Sequence, residues 1–254
     1  MDPADPDRVQ SDPMWQPMQD YLSGLVADLP ARPRAILLVS GHWEAADFTV
    51  HVGDRPPLLF DYHGFPPHTY QLRWDAPGAP DVARRAADLL RGGGFTTREE
   101  TARGWDHGVF IPMKVALPDA DIPLAQLSLR RDLDPAVHIA AGRALAPLRD
   151  EGVLIIGSGM SFHNLRVRGP QAIAPSTAWD YALTAAATDA DPDQRAARVA
   201  AWADLPHARF AHPREEHLLP LMVALGAGDR SAASSDREAC APPFPTRPAA
   251  HRCL

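Results

Sequence analysis

The chain contains little cysteine and little lysine. Its only cysteines, Cys240 and Cys253, lie near the C-terminus, which leaves no disulfide framework and no cysteine-based zinc site. Lysine occurs only at Lys114, so arginine supplies nearly all the positive charge, and the net charge is -7. This balance argues against a nucleic-acid surface, which requires a basic face.

Long apolar segments are also missing, and the first residues do not predict a leader peptide. No apolar run approaches the roughly 20 residues that a membrane helix needs. The acidic N-terminus lacks the basic and apolar regions of a signal peptide. We therefore expect a cytoplasmic protein that does not contact membranes.

Apolar strands and amphipathic helices alternate along most of the 254 residues. Strands are predicted at 35–40, 47–52, 123–129 and 152–157, and helices at 14–29, 81–90, 109–117, 134–148, 179–188, 193–202 and 213–225. This alternation is typical of an α/β sheet covered by helices. We predict a single α/β domain with a mixed central sheet over 1–226, followed by an irregular, proline-rich tail over 227–254.

Four short segments each place a histidine beside small residues or at the end of an element: His42, His107, His163 and His217. His42 and His163 follow predicted strands, and ligands of open α/β sheets bind beyond the carboxyl ends of strands. Imidazole is the commonest metal ligand and a general base near neutral pH. Each histidine alone has a structural interpretation, but the four together predict a metal-centred enzyme.

The segment before His163 excludes two familiar motifs. It does not match the dinucleotide pattern Gly-x-Gly-x-x-Gly, because Phe162 stands where the third glycine would be. The serine between Gly157 and Gly159 also lacks the spacing of a nucleophile elbow. We expect these glycines to let the backbone turn tightly and direct His163 into a cleft.

A long segment at 55–80 is rich in proline, glycine and aromatic residues. Loops of this length inside a compact domain are usually functional. Its Phe60, Tyr62, Phe65 and Tyr70 are suited to line an apolar pocket. His63 and His68 in the same loop either face a substrate or are simply exposed.

Several motifs in order resemble the class III extradiol ring-cleavage dioxygenases of the DOPA-dioxygenase type, in the LigB-like superfamily. The matching segments are 36–43, 60–66, 70–77, 104–108, 118–123, 157–165 and 213–220. The resemblance as a whole extends from Trp15 to Gly226, nearly the whole chain. Several independent motifs in the right order are far more specific than any single one.

The resemblance implies roles for the histidines. His42 and His217 resemble the family's metal ligands, and His163 its active-site base, which lies near enough to be counted with the metal ligands as well. His107 resembles a histidine that supports catalysis or binds substrate, and Glu216 is a weaker ligand candidate. Asp61, His63 and Phe65 are expected to bind the substrate.

The same resemblance implies the cofactor and the reaction. The metal is Fe(II) or Zn(II), and the partners are a catechol-type small molecule and O2. Imidazole ligands suit both metals. The expected activity is that of an aromatic ring-opening oxidoreductase.

Two departures from the family pattern concern the ends of the chain. Family members open with a strand and a His-Gly-rich turn that supplies the first metal ligand, whereas no histidine precedes His42. We therefore expect the first strand to be absent, metal binding to be weak and this chain to have little activity. An unpaired sheet edge favours association, so a homo-oligomer is one expectation. Relatives also end in a strand, for which 240–254 shows no pattern.

Two other functions stay open at the level of sequence. A zinc hydrolase is one, because zinc held by histidines can activate water, although no His-Glu-x-x-His pattern supports it. A non-catalytic binding or signalling member of the same superfamily is the other. The absent ligand favours this second alternative, and the intact segments around His107 and His163 oppose it.

Overall fold

The computed structural model describes residues 15–167 and 169–229. The strands are β1 (Ala35–Ala45), β2 (Phe48–His51), β3 (Thr97–Glu100), β4 (Leu124–Arg130) and β5 (Val153–Ser158). The helices are α1 (Gln16–Gly24), α2 (Pro80–Gly92), α3 (His107–Ala116), α4 (Pro135–Leu145), α5 (Pro147–Asp150), α6 (Pro170–Ala187), α7 (Pro192–Ala200), α8 (Ala208–Ala211) and α9 (Leu219–Gly228).

The five strands form one sheet in the order β3-β2-β4-β1-β5. β1 runs parallel to β4 and β5, and β2 runs parallel to β3, while β2 and β4 are antiparallel. The predicted α/β fold with a mixed sheet is therefore confirmed. Within the described part of the chain, β5 pairs with β1 alone.

The core lies on both faces of the sheet because neighbouring residues of β1 point to opposite sides. Leu37 and Val39 belong to a cluster that includes residues of α2, α4 and α9. Ile36 and Leu38 belong to a second cluster that includes residues of α3. All four side chains have no exposed surface, so β1 is the central support from which the site is built.

β1 and β5, the strands that lead to His42 and His163, differ from the sequence prediction in extent and in burial. β1 continues past Ser40 to Ala45, with an irregular register between Val39 and Glu44. His42 thus lies within the strand rather than just after it. β5 is buried only at Val153, because a strand with one paired neighbour keeps part of its surface open.

Some element boundaries differ as well. α9 begins at Leu219, not at Pro213, so His217 precedes the helix; Pro220 occupies the helical first turn, where proline is favoured. α9 also continues to Gly228, two residues beyond the predicted end of the domain at 226, and residues 230–254 of the predicted tail lie outside the described ranges. The sequence does not predict β3, because this strand is short and charged.

α1 and α6 differ in length from their predictions. α1 ends at Gly24 rather than at Leu29, and α6 begins nine residues earlier than expected, at Pro170. The prolines before Trp179 favour irregular structure, yet Pro175 lies inside α6. None of the described helices is long and apolar enough to cross a bilayer.

Candidate active site

The four histidines singled out in the sequence lie side by side. The ring centroids of His107 and His42 are 3.9 Å apart, and those of His42 and His217 are 4.7 Å apart. The rings of His217 and His163 stack nearly parallel, at 3.4 Å and 16°. The structure thus brings together residues from β1, the start of α3, the turn after β5 and the turn before α9; we call this set the histidine row.

A buried carboxylate beside β1 holds His42 in place. Asp106 has no exposed surface, and it accepts hydrogen bonds from Ser40 Oγ at 2.7 Å, Gln126 Nε2 at 2.6 Å and Arg103 Nη2 at 3.2 Å. Ser40 Oγ accepts from the His42 backbone N–H at 3.1 Å, and Arg103 Nη2 donates to the His42 carbonyl oxygen at 3.1 Å. Both backbone polar groups of His42 are therefore tied to the same network.

His107 takes its carboxylate partner from a distant part of the chain. Asp61 Oδ1 lies 2.7 Å from His107 Nδ1 and accepts a hydrogen bond from the His107 backbone N–H at 3.0 Å. Burial alone would raise the pKa of Asp61, but the hydrogen bonds from His107 lower it to about 2. Asp106, the direct sequence neighbour of His107, points away into the buried network, as expected for adjacent residues.

His163 faces a second carboxylate. Its Nδ1 lies 3.6 Å from Glu216 Oε1. The imidazole of His163 is the main cause that lowers the pKa of Glu216 to about 2, against the opposing effect of burial. A carboxylate is an acceptor only, so a neutral His163 places its proton on Nδ1 and leaves the lone pair of Nε2 free.

His217 is the most enclosed member of the histidine row, with 7% of its surface exposed. Burial, and then the neighbouring His163 and His42, lower its pKa to about 3. Burial likewise lowers the pKa of His42, with His107 as the next cause. His217 Nδ1 is buried and has no hydrogen-bond partner within the described residues. Neutral imidazoles with an unused lone pair are what a metal ion requires.

Gly159 allows the two turns that carry His163 and His217 to touch. A Cβ atom at Gly159 would lie 2.1 Å from the His217 carbonyl oxygen. The sequence predicts a tight turn at Gly157 and Gly159, but neither has a positive φ. Their role is instead the close approach of two backbones, since a Cβ at Gly157 would lie 2.3 Å from the Pro220 carbonyl oxygen.

Aromatic residues of the loop at 55–80 border the row on the side of His107. The Tyr62 ring lies 5.6 Å from His107 and 5.2 Å from Phe65. Phe65 is 58% exposed, and His63 beside it is exposed as well. Of the residues predicted to bind substrate, Asp61 therefore touches the row, Phe65 reaches it through Tyr62, and His63 stays a prediction.

Two groups of donor atoms are compact enough to hold a metal ion. One comprises His42, Asp61 and His107, and the other comprises His163, Glu216 and His217; within each group the donor atoms lie within 4.8 Å of one another. The chemistry of imidazole and carboxylate donors fits iron or zinc. The unpartnered nitrogen of His217 supports that fit.

Sequence reasoning does not find the residues that hold the row in place, including Ser40, Arg103 and Gln126. Ser40 lies within the matching segment 36–43 without a predicted role, and Arg103 and Gln126 lie outside every matching segment. The partners that give these residues their roles are mostly 20 or more residues away. The sequence signal that could have pointed to them is the end of the predicted strand at Ser40, because a buried serine and a half-buried histidine there require hydrogen-bond partners.

Comparison with known proteins places the chain among ring-opening dioxygenases. It is 42% identical over 217 residues to a dioxygenase of Hapsidospora irregularis, a match that spans 79% of this chain and 66% of that protein. It is 42% identical over 208 residues to the 4,5-DOPA dioxygenase extradiol of Beta vulgaris, spanning 80% and 76%. The enzyme of the same name from Escherichia coli is 37% identical over 202 residues, spanning 78% and 74%.

A solved structure and a match to a protein family lead to the same assignment as these relatives. The crystal structure of an uncharacterized protein from Escherichia coli K12 superposes with a TM-score of 0.65 at 31% identity, covering 82% of this chain and 81% of that one. Residues 6–244 match the family described as the catalytic LigB subunit of aromatic ring-opening dioxygenase. The chain therefore belongs to the LigB family of aromatic ring-opening dioxygenases.

Proposed function

We propose that this protein is an extradiol dioxygenase that inserts both atoms of O2 into a catechol-type aromatic ring. The single observation that supports this most strongly is the histidine row, in which the half-buried His42 and the buried His217, both with lowered pKa, lie between two imidazole–carboxylate pairs. Both oxygen atoms end in the ring-opened product, so the reaction needs no external reductant. The relatives from Beta vulgaris and Escherichia coli are both named 4,5-DOPA dioxygenase extradiol, which supports DOPA as the first substrate to test.

His42 and His217 are the residues proposed to hold the metal. Both have lowered pKa values because of burial, which keeps their lone pairs available at neutral pH. Glu216 stands beside His217 and offers a third donor, so this proposal replaces the expectation, drawn from the sequence, of weak metal binding and little activity. Fe(II) is the proposed metal because zinc has no redox chemistry; when bound, iron supplies the electron transfer that lets O2 react with the catechol.

His163 is proposed as the general base. Glu216 Oε1 faces the Nδ1 side of its ring at 3.6 Å and favours the proton on that nitrogen, so the Nε2 lone pair can take a proton from a catechol hydroxyl. The resulting imidazolium is stabilised by the ionised Glu216, whose pKa of about 2 keeps it charged at neutral pH. The same proton can return to the substrate later in the reaction.

His107 and the aromatic loop are proposed to orient the substrate. Asp61 accepts from His107 Nδ1 and fixes the ring, so that His107 Nε2 is left to hydrogen-bond a substrate oxygen. Tyr62 and Phe65 provide an apolar wall next to that position, where a catechol ring would pack. His63 lies in the same loop and is proposed to contact the polar substituent of the substrate.

The test is oxygen uptake by purified protein loaded anaerobically with Fe(II). With L-DOPA we expect O2 consumption in a one-to-one ratio to substrate and a yellow ring-opened product. Tyrosine, which lacks the second hydroxyl, is the matched control and should give neither. Iron-loaded protein that binds catechols without taking up O2 would contradict the proposal.

A further inference from the structure

The turn that carries His163 is docked onto α8. The His163 backbone N–H donates to the Ala211 carbonyl oxygen at 3.0 Å, and Asn164 Nδ2 donates to the Phe210 carbonyl oxygen at 2.7 Å. Both bonds use backbone carbonyls of a single short helix. The position of the His163 ring therefore depends on how α8 and the residue that ends it, His212, are held.

Ser161, two residues before His163, receives two hydrogen bonds on one carbonyl oxygen. His212 Nε2 lies 2.8 Å from this oxygen, and Trp179 Nε1 donates to it at 2.5 Å. A carbonyl oxygen has two lone pairs, so these two donors saturate it. The start of the His163 turn is thereby fixed to α6 and to the end of α8 at one atom.

The protonation state of His212 follows from its surroundings. The ring has no exposed surface and lies edge-on to Trp179 at 5.5 Å and to Trp202 at 6.0 Å. Burial lowers the pKa of His212 to about 4, so the ring is neutral at pH 7. Because the Ser161 carbonyl only accepts, the single ring proton lies on Nε2.

The other ring nitrogen of His212, Nδ1, lies in an unfavourable environment. This nitrogen is buried and has no hydrogen-bond partner within the described residues. Such a group is typically destabilising, and a phenylalanine would fill the same aromatic cage without it. The one interaction that a phenylalanine could not replace is the bond to Ser161.

We propose that His212 is a positioning residue for His163, acting through the Ser161 carbonyl oxygen. It does not touch the reacting atoms; it fixes the turn so that the His163 ring stays stacked on His217 and beside Glu216. This inference rests on the proposed function in assigning His163 as the base.

The variants H212F and H212Q separate the hydrogen bond from the packing. Phenylalanine keeps the ring and loses the donor, whereas glutamine places an amide N–H near the position of Nε2. In iron-loaded enzyme we expect H212F to lower kcat about 10- to 100-fold, as a displaced catalytic group does, with little change in KM or iron content. H212Q should recover most of that loss.

His138 provides a matched control. It is also fully buried, with its Nε2 accepting from the Arg130 backbone N–H at 3.1 Å, but it lies on α4 away from the histidine row. H138F should lower the melting temperature without lowering kcat. If H212F and H138F reduce kcat alike, or if H212Q is no better than H212F, the proposed role of His212 is wrong.

A measurement without turnover separates this proposal from the proposed function. In metal-free protein labelled with 15N-histidine, the His163 ring signals, assigned with H163Q, should shift in H212F and return towards wild type in H212Q. Unchanged His163 signals in H212F would overturn the positioning role even in an active enzyme. Absence of ring cleavage by wild-type protein, with these shifts present, would overturn the function alone. Should H212F fail to fold, W179F removes the other donor to Ser161 and takes its place in the comparison.

Discussion

On one side of the histidine row, His42 and His107 are held by side chains; on the other, His163 and His217 are held largely by backbone contacts. Asp106 and Asp61 receive the bonds that fix the first pair. The second pair depends on the carbonyls of α8 and on the close approach at Gly159. The first half should therefore be sensitive to loss of charge, and the second half to changes of shape.

The largest expected effect is loss of the metal when an imidazole from the middle of the row is removed. H42A and H217A should each lose stoichiometric iron and all measurable ring cleavage, because each supplies a ligand from a different half. Binding weaker by roughly 100-fold or more is expected, since even residues behind the ligands contribute 10- to 100-fold. Calorimetric titration with Fe(II) measures it, and full iron affinity in either variant would show that this residue is no ligand.

Removal of the His163 imidazole, which lies on the side held by backbone contacts, should lower turnover without loss of the bound metal. H163A is expected to lower kcat by about 100- to 10,000-fold, the usual contribution of a general base, while iron content stays close to wild type. Stopped-flow absorbance of the product and metal analysis of the same sample test this. If H163A strips the iron as fully as H42A does, His163 is a ligand rather than a base.

The side-chain-held half should respond strongly to loss of Asp106. D106A leaves the buried donors of Ser40 and Gln126 without their acceptor and removes the carboxylate that pairs with Arg103. We expect a loss of about 3 kcal/mol in the free energy of unfolding, typical of a broken buried ion pair, measured by urea denaturation. D121A is the control, because Asp121 forms an ion pair with Arg32 at a largely exposed site and should change stability by less than about 1 kcal/mol.

The pH dependence of the free energy of unfolding tests the half of the row that contains His163, because His212 supports it. Its pKa is about 4 in the folded protein, below the ordinary 6.5, so below pH 6.5 protons bind the unfolded chain more strongly. Its contribution is complete above pH 6.5 and is lost as the pH falls towards 4. Between pH 6.5 and 5 the free energy of unfolding of wild type should fall by about 2 kcal/mol more than that of H212Q. Parallel curves for the two proteins would contradict the neutral, buried state of His212.

The smallest expected effect concerns the exposed aromatic loop. F65A should raise KM for a catechol by about fivefold, equivalent to roughly 1 kcal/mol of lost aromatic contact, and leave kcat nearly unchanged. Tyr181 on α6 is similarly exposed, and Y181A is the matched control. Equal KM values for F65A and Y181A would remove Phe65 from the substrate site.

The fold class and the four histidines can be predicted from the sequence because those signals are local. The apolar run that forms β1 and the small residues around His42 and His163 can be read within one window. The pairing of Asp61 with His107 cannot, since 46 positions separate them and several other acids are equally available. The start of α9 is misplaced by the sequence because Pro213 and Pro220 carry the same helix-start signal, and only packing decides between them.

The role of His212 and the partners of Asp106 cannot be read from the sequence. Both act by buried hydrogen bonds to groups on other elements, so their roles emerge only once the chain is folded. These positions connect the fold to the proposed chemistry. The variants D106A and H212F therefore test roles that sequence motifs do not reveal.

The most direct test of the central claim is the reaction of iron-loaded protein with L-DOPA under 18O2, followed by mass spectrometry of the product. Our account predicts a ring-opened product that carries two labelled oxygen atoms, formed about 100-fold or more slowly by H163A. Unlabelled product, or an intact ring with the label in hydrogen peroxide, would contradict ring cleavage at the histidine row.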